Sequence, residues 1–170
     1  MFNLNSFSKM KDIDLLKNDG FQGFVTINEL CKNINIVPTY GGVYVVLRTK
    51  ENKPVFLEKG TGGFFKGKDP NVAISDLEDK WIEGTNIIYI GKANGSKKRG
   101  LRKRLYEYMC FGQGEDVGHY GGRYIWQLED ASDLVVCWKQ VDSDTEQVEK
   151  QMILTFEEEY GKYPFANLRL

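Results

Sequence analysis

The stretch at 42–48, Gly-Val-Tyr-Val-Val-Leu-Arg, is rich in β-branched residues and almost unbroken in apolar side chains. A strand with one wet face alternates apolar and polar residues, whereas a continuous apolar run belongs to a strand covered on both faces. This stretch is therefore expected as a central strand, and the rest of the chain must cover it from both sides. With 170 residues the chain makes one domain whose core needs neither disulfides nor metal.

Two further strands are expected. One is 86–91, Asn-Ile-Ile-Tyr-Ile-Gly, which its glycine would end at a turn, and the other is 134–141, Leu-Val-Val-Cys-Trp-Lys-Gln-Val. Between them, 101–110 reads as a helix with Leu101, Leu105, Tyr108 and Met109 on one side and Arg104 on its flank. A last helix opens on a capping box of Ser143 and Glu146 and stops at Gly161 and Pro164. Its apolar arc holds Val148, Met152, Ile153, Phe156 and Tyr160, and Glu149 falls within about 30 degrees of the arc's centre. Glu146 is accounted for as the cap partner, so Glu149 is the carboxylate that needs a reason. Earlier in the chain, Thr26 or Asn28 is expected to cap a short helix carrying Leu30 and Ile34 and ended by Pro38; residues 49–85 read as turns, with a turn or two of helix near 76–81.

Charge is distributed unevenly on a chain whose formal net charge is −1. Lys97, Lys98, Arg99, Arg102, Lys103 and Arg104 crowd one segment, while acidic residues collect in 76–83 and 142–159. A neutral body with one basic face suggests an anionic partner held at one place. Cys31, Cys110 and Cys137 are an odd number without metal-ligand spacing, which fits free thiols in a reducing cytoplasm. No window approaches the about 20 apolar residues of a membrane span.

Hydrolysis of a phosphodiester needs an activated water, neutralised phosphate charge and a stabilised leaving oxygen. Tyr44 and Tyr89 on strands, Arg104 and Glu149 on helices meet these needs together. A tyrosine becomes a usable base only where a cation or hydrogen bonds stabilise its phenolate, and Lys92 and the basic helix are available for that. Arg104 offers the planar fork that fits phosphate oxygens. Glu149 is a hard oxygen ligand suited to magnesium or manganese. Taken one at a time, these residues have plainer readings: tyrosines packed in strands, Arg104 on a solvated face, and Glu149 in a salt bridge to Arg102 or Lys92. His119, the only histidine, sits in the glycine-rich 112–122 loop; it either brings an imidazole toward phosphate or hydrogen-bonds backbone.

In order, Gly42-Val43-Tyr44, Tyr89-Ile90-Gly91, Lys92, the basic helix with Arg104, the helical Glu149 and the ending Tyr163-Pro164-Phe165-Ala166-Asn167 resemble the GIY-YIG nuclease family. The first motif carries valine where the family has isoleucine. The resemblance implies an α/β (α+β) fold: a small three-stranded central sheet flanked by helices, with 1–40 as an N-terminal extension and 49–85 as an insertion between the two motif strands. It implies a Mg2+- or Mn2+-dependent endonuclease acting on double-stranded DNA, either restriction-like, as a homodimer cutting both strands, or a structure-selective repair enzyme. A nucleic-acid-binding module without cleavage is the alternative. By the same resemblance Tyr44 is the base or its close assistant, Tyr89 positions the phosphate, Arg104 stabilises the transition state and Glu149 holds the metal. Tyr108 orients or relays a proton, with Lys92 and His119 as further catalytic candidates, and Gly91, Lys97, Lys98, Arg99, Arg102, Lys103 and Asn167 are expected at the substrate.

Overall fold

The computed structural model describes the backbone of residues 4–95 and 99–170, with side chains from residue 11 onward in those ranges. Lys97 and Lys98 lie outside the described residues. Five helices and four strands follow in the order α1 (Leu4–Asn18), β1 (Gln22–Thr26), α2 (Ile27–Lys32), β2 (Gly42–Leu47), α3 (Ile74–Lys80), β3 (Ile87–Ala93), α4 (Leu101–Gly112), β4 (Val135–Gln140) and α5 (Thr145–Tyr160), with short 3-10 turns between them. No helix among the described residues is long and apolar enough to cross a membrane.

The strands form one antiparallel sheet in the order β1-β4-β2-β3. Every residue of β2 is buried, as the unbroken apolar run requires. Val43, Val45 and Leu47 face a core layer shared with Leu16 of α1 and Ile153 of α5. Tyr44 and Val46 face the other layer, with Leu30 of α2 and Leu101, Leu105 and Tyr108 of α4. Helices on both faces of the sheet thus account for the sequence pattern.

The sheet has four strands where three are expected. The additional one, β1, pairs with β4 through a bulge between Gly23 and Val25, where Gly23 and Phe24 take φ of 93° and 56°. A bulge inserts an unpaired residue and bends the strand, so 22–26 lacks the clean period of a regular strand. Thr26 then caps α2 through a reciprocal capping box with Glu29, one of the two caps expected there. At the other end of the chain the cap of α5 is Asp144, whose Oδ1 accepts from Glu146 and Gln147 N–H, and not Ser143. Glu146 is thereby free of any capping role.

β3 is an edge strand, and it continues through Gly91 to Ala93 instead of turning there. Its outer backbone is covered by the C-terminal segment: Ala166 N donates to Ile88 O at 2.8 Å, Asn167 Oδ1 accepts from Ile90 N at 2.9 Å and Asn167 Nδ2 donates to Ile90 O at 2.8 Å. The exposed edge is closed in this way without a fifth strand. Residues 49–85, which separate the two paired motif strands, are anchored by Arg48. Buried in the protein, Arg48 ion-pairs with Asp130 at 3.0 Å and donates to Asn52 O at 2.7 Å.

Candidate active site

Because β3 is an edge strand, side chains from both faces of the sheet reach round it. Tyr89 stands opposite Val46 on the α4 face, and Lys92 stands opposite Val43 on the α5 face. A cleft follows this edge in two lobes. One, of about 670 Å3, is lined by Arg99, Lys103 and Arg104 of the α4 region; the other, of about 900 Å3, is lined by residues of α5, the 118–123 loop and the C-terminal segment. Tyr89, Lys92 and Glu149 line both lobes and mark where they meet. Together the lobes carry eight basic side chains and three carboxylates on a chain whose formal net charge is −1.

Three tyrosines form an edge-to-face cluster at this junction. Ring centroids lie 6.0 Å apart for Tyr44 and Tyr89, 6.3 Å for Tyr44 and Tyr108, and 5.6 Å for Tyr89 and Tyr108. The glycine of the second motif is a packing requirement. Tyr44 pairs across the ladder with Gly91, and a Cβ on Gly91 would lie 2.3 Å from Tyr44 Cζ. Gly122 serves the same cluster: at φ of 73° its carbonyl accepts from Tyr108 Oη at 2.6 Å, and a Cβ there would lie 2.7 Å from Tyr89 Cζ.

The two motif tyrosines differ in access. Tyr44 is 0% exposed and lines neither lobe; Tyr89, 6% exposed, lines both. Burial pushes the Tyr44 hydroxyl well above the usual phenol range, and Tyr89 adds to the rise while Arg104 opposes it. Burial also pushes Tyr89 up to about 12, again with Arg104 pulling it down. Both phenols are therefore protonated at neutral pH. Tyr89 is the phenol that faces the cleft, and Tyr44 stands behind it. Tyr108, expected to orient or relay, is fully buried and hydrogen-bonds the backbone of the 112–122 loop.

Arg104 is the cation common to the cluster. Its field lowers the tyrosine hydroxyls, His119 and the Glu149 carboxyl alike. It makes one long hydrogen bond, to Gly118 O at 3.4 Å, and no carboxylate among the described residues pairs with it.

Lys92 Nζ lies 3.6 Å from Glu149 Oε2 and 3.3 Å from Glu146 Oε1. Two carboxylates one helical turn apart thus share a single cation. Burial raises the Glu149 carboxyl above its ordinary range, and Lys92 brings it part of the way back. No group of three or more His, Cys, Asp or Glu side chains able to hold a metal comes together among the described residues. Magnesium needs only one or two protein carboxylates and keeps several waters; Glu149 and Glu146 are the carboxylates here that would supply them, and Lys92 occupies both in this structure. Glu146 is the residue that reasoning from the sequence missed, because it was assigned to a cap.

Other expected residues take different places. Arg102 donates to Val37 O at 2.7 Å and to Asn35 O at 3.0 Å, which ties α4 to the segment after α2, and it lines neither lobe. Asn167 closes the β3 edge as described, although its residue also borders the larger lobe. Lys103 pairs with Glu107 at 3.5 Å and Arg99 is exposed, both on the smaller lobe.

His119 is 0% exposed and stacks on Tyr108 with centroids 3.9 Å apart and planes 9° from parallel. Neither ring nitrogen has a hydrogen-bond partner, so it is neither a phosphate contact nor a backbone-bonded loop histidine. Burial and Arg104 hold it well below the usual imidazole range, as a neutral aromatic plate under the 112–122 loop. The larger lobe also holds Lys68, Arg123, Lys150 and Arg169, which sequence reasoning did not select. Lys150 was findable as the neighbour of Glu149, and Arg123 as the basic residue that ends the glycine-rich loop.

No family model, no curated protein and no solved structure matches this chain.

Proposed function

We propose that this protein is a divalent-metal-dependent endonuclease of the GIY-YIG type that hydrolyses phosphodiester bonds of DNA. One observation carries the reading: Tyr89, Lys92, Arg104 and Glu149, from three separate elements, converge on one basic cleft with Tyr44 and Tyr108 packed behind Tyr89. A structural role for each residue separately does not require that convergence.

The Arg104 guanidinium, which has no carboxylate partner among the described residues, grips the non-bridging oxygens of the scissile phosphate and is strongest as charge builds there. The Tyr89 hydroxyl holds the attacking water in line, and the Arg104 field opposes the effect of burial on it. As water attacks phosphorus the bond to the leaving sugar oxygen breaks, the water's proton passes to the Tyr89 oxygen while the Tyr89 hydroxyl proton passes to solvent in the cleft, and the Lys92 ammonium protonates the leaving oxygen. A divalent ion held by Glu149 and Glu146 would neutralise phosphate charge and make a bound water more acidic. Lys92 leaves those carboxylates to reach the leaving group.

Incubation of supercoiled plasmid with pure protein and magnesium or manganese tests the reading, with a chelator control and an RNA arm. Nicking that the chelator abolishes is the expected result; intact DNA in both metals sinks the reading. A second reading, grip without cleavage, is favoured by the raised phenols and by the Lys92 pairing of Glu149. Metal-independent binding with no nicking is its signature.

A further inference from the structure

The cleft runs on past the residues given catalytic roles. Beyond Tyr89 and Glu149 it opens into the larger lobe, whose wall carries Lys68 from the 49–85 segment, Arg123 from the loop after α4, Lys150 from α5 and Arg169 from the C-terminal segment. These four cations come from four separate parts of the chain, so they are not the solvated stripe of a single helix. Among the described residues none of them forms an ion pair, whereas Lys92 and Lys103 in the same cleft do. Like charges gathered round one space repel one another, and a polyanion bound there relieves the repulsion.

Arg123 is preset for such a ligand. Its guanidinium lies over the Tyr120 ring, 4.0 Å from the centroid, and its buried Nε has no hydrogen-bond partner. A guanidinium held there loses little freedom when it grips a phosphate. The 49–85 segment holds this arrangement in place: Tyr120 Oη donates to Asp69 O at 3.1 Å, and Lys66 N donates to Asp116 Oδ1 at 3.1 Å. The same short stretch of that segment delivers Lys68 to the lobe.

Resting on the nuclease reading, we infer that the larger lobe is the second half of a nucleic-acid groove: Lys68, Arg123, Lys150 and Arg169 hold the backbone of the strand beyond the cleaved phosphate. The 49–85 segment is present to complete this grip. The substrate is then a strand that continues on both sides of the scissile bond, because the two lobes meet at Tyr89, Lys92 and Glu149. A dinucleotide fills only the junction.

The test measures binding of a short fluorescein-labelled DNA duplex by anisotropy across a salt series. It compares wild type, the double variant Lys150→Ala with Arg169→Ala, and Lys68→Ala separately, each first shown by circular dichroism to be folded. Each lost phosphate contact lowers the slope of log affinity against log salt by about 0.9, so the double variant should lose about 1.8 and Lys68→Ala about 0.9. Unchanged slopes in both variants overturn the inference. Competition by inorganic phosphate as effective as that by unlabelled duplex also overturns it, since the lobe is then a small-anion site. Plasmid nicking by the wild type is scored in parallel. Nicking with unchanged slopes removes the groove and leaves the nuclease; lowered slopes without nicking remove the nuclease and keep the groove.

Discussion

Replacing Gly91 with alanine tests the packing on which the candidate site is built. The added Cβ would lie 2.3 Å from Cζ and 2.5 Å from Oη of Tyr44. That ring is 0% exposed and has Tyr89 and Tyr108 beside it, so it has no open space to retreat into. Overpacking of this kind costs about 1–3 kcal/mol. Alanine restores about 0.5–1 kcal/mol because it has less backbone freedom to lose in a strand than glycine. A net loss of about 1–2 kcal/mol lowers the melting temperature of a domain this size by about 2–8 °C. The assay is thermal denaturation of wild type, Gly91→Ala, Tyr44→Leu and the double variant. With the Tyr44 ring gone the alanine meets little, so the two substitutions should couple by about 1 kcal/mol. Nicking by Gly91→Ala should fall at least about tenfold, because the cluster that positions Tyr89 shifts. A wild-type melting temperature for Gly91→Ala, or an equal cost in both backgrounds, refutes the claim that glycine is there to admit the ring.

Three further outcomes follow from the same geometry. Arg104→Lys keeps the charge but loses the fork, and nicking should drop about a hundredfold with duplex affinity nearly intact; near-normal turnover contradicts its role. His119 is neutral in the folded protein with its pKa below the ordinary 6.5, so the stability it contributes is present above that pH and lost as pH falls beneath it. Urea titrations should show wild type losing up to about 1.4 kcal/mol per pH unit there relative to His119→Phe, which keeps the stack on Tyr108 but cannot titrate; parallel profiles oppose this. Asp130→Ala leaves the buried Arg48 guanidinium without its carboxylate and should cost about 3 kcal/mol in urea denaturation, much of it regained by Arg48→Met with Asp130→Leu. An Asp130→Ala protein as stable as wild type contradicts the anchoring role of that pair.

The sheet centre and its two flanking helices were legible because burial there writes itself into the residue pattern. The unbroken apolar 42–47 run, the β-branched 134–141 run and the 3.6-residue spacing of Leu101, Leu105 and Tyr108 each point to the element found. β1 was not legible, since Gly23 and Phe24 form a bulge with positive φ and neither shows a strand period. α1 was not recognised either, its polar start giving no helical stripe. Side-chain competition hid the α5 cap: Ser143 and Asp144 are both good cap residues, and only the backbone entering the helix selects the aspartate, which leaves Glu146 for Lys92. His119 looked like a flexible loop residue because glycines surround it. Its burial is decided by Tyr108, a residue eleven positions earlier, and no local signal reports that contact. The site residues were legible as an ordered set, but their relative access was not. Which tyrosine faces the cleft depends on the edge position of β3, and strand order is not written in either motif.

The most direct test of the central claim is cleavage and binding measured together on Glu149→Gln. The substitution keeps the shape of the side chain and removes the charge proposed to hold the divalent ion. With magnesium, wild type should nick supercoiled plasmid, while the variant should bind the same DNA with wild-type affinity or better and nick it at least about a hundredfold more slowly. Equal nicking by the two proteins, or no nicking by the wild type, would contradict the account.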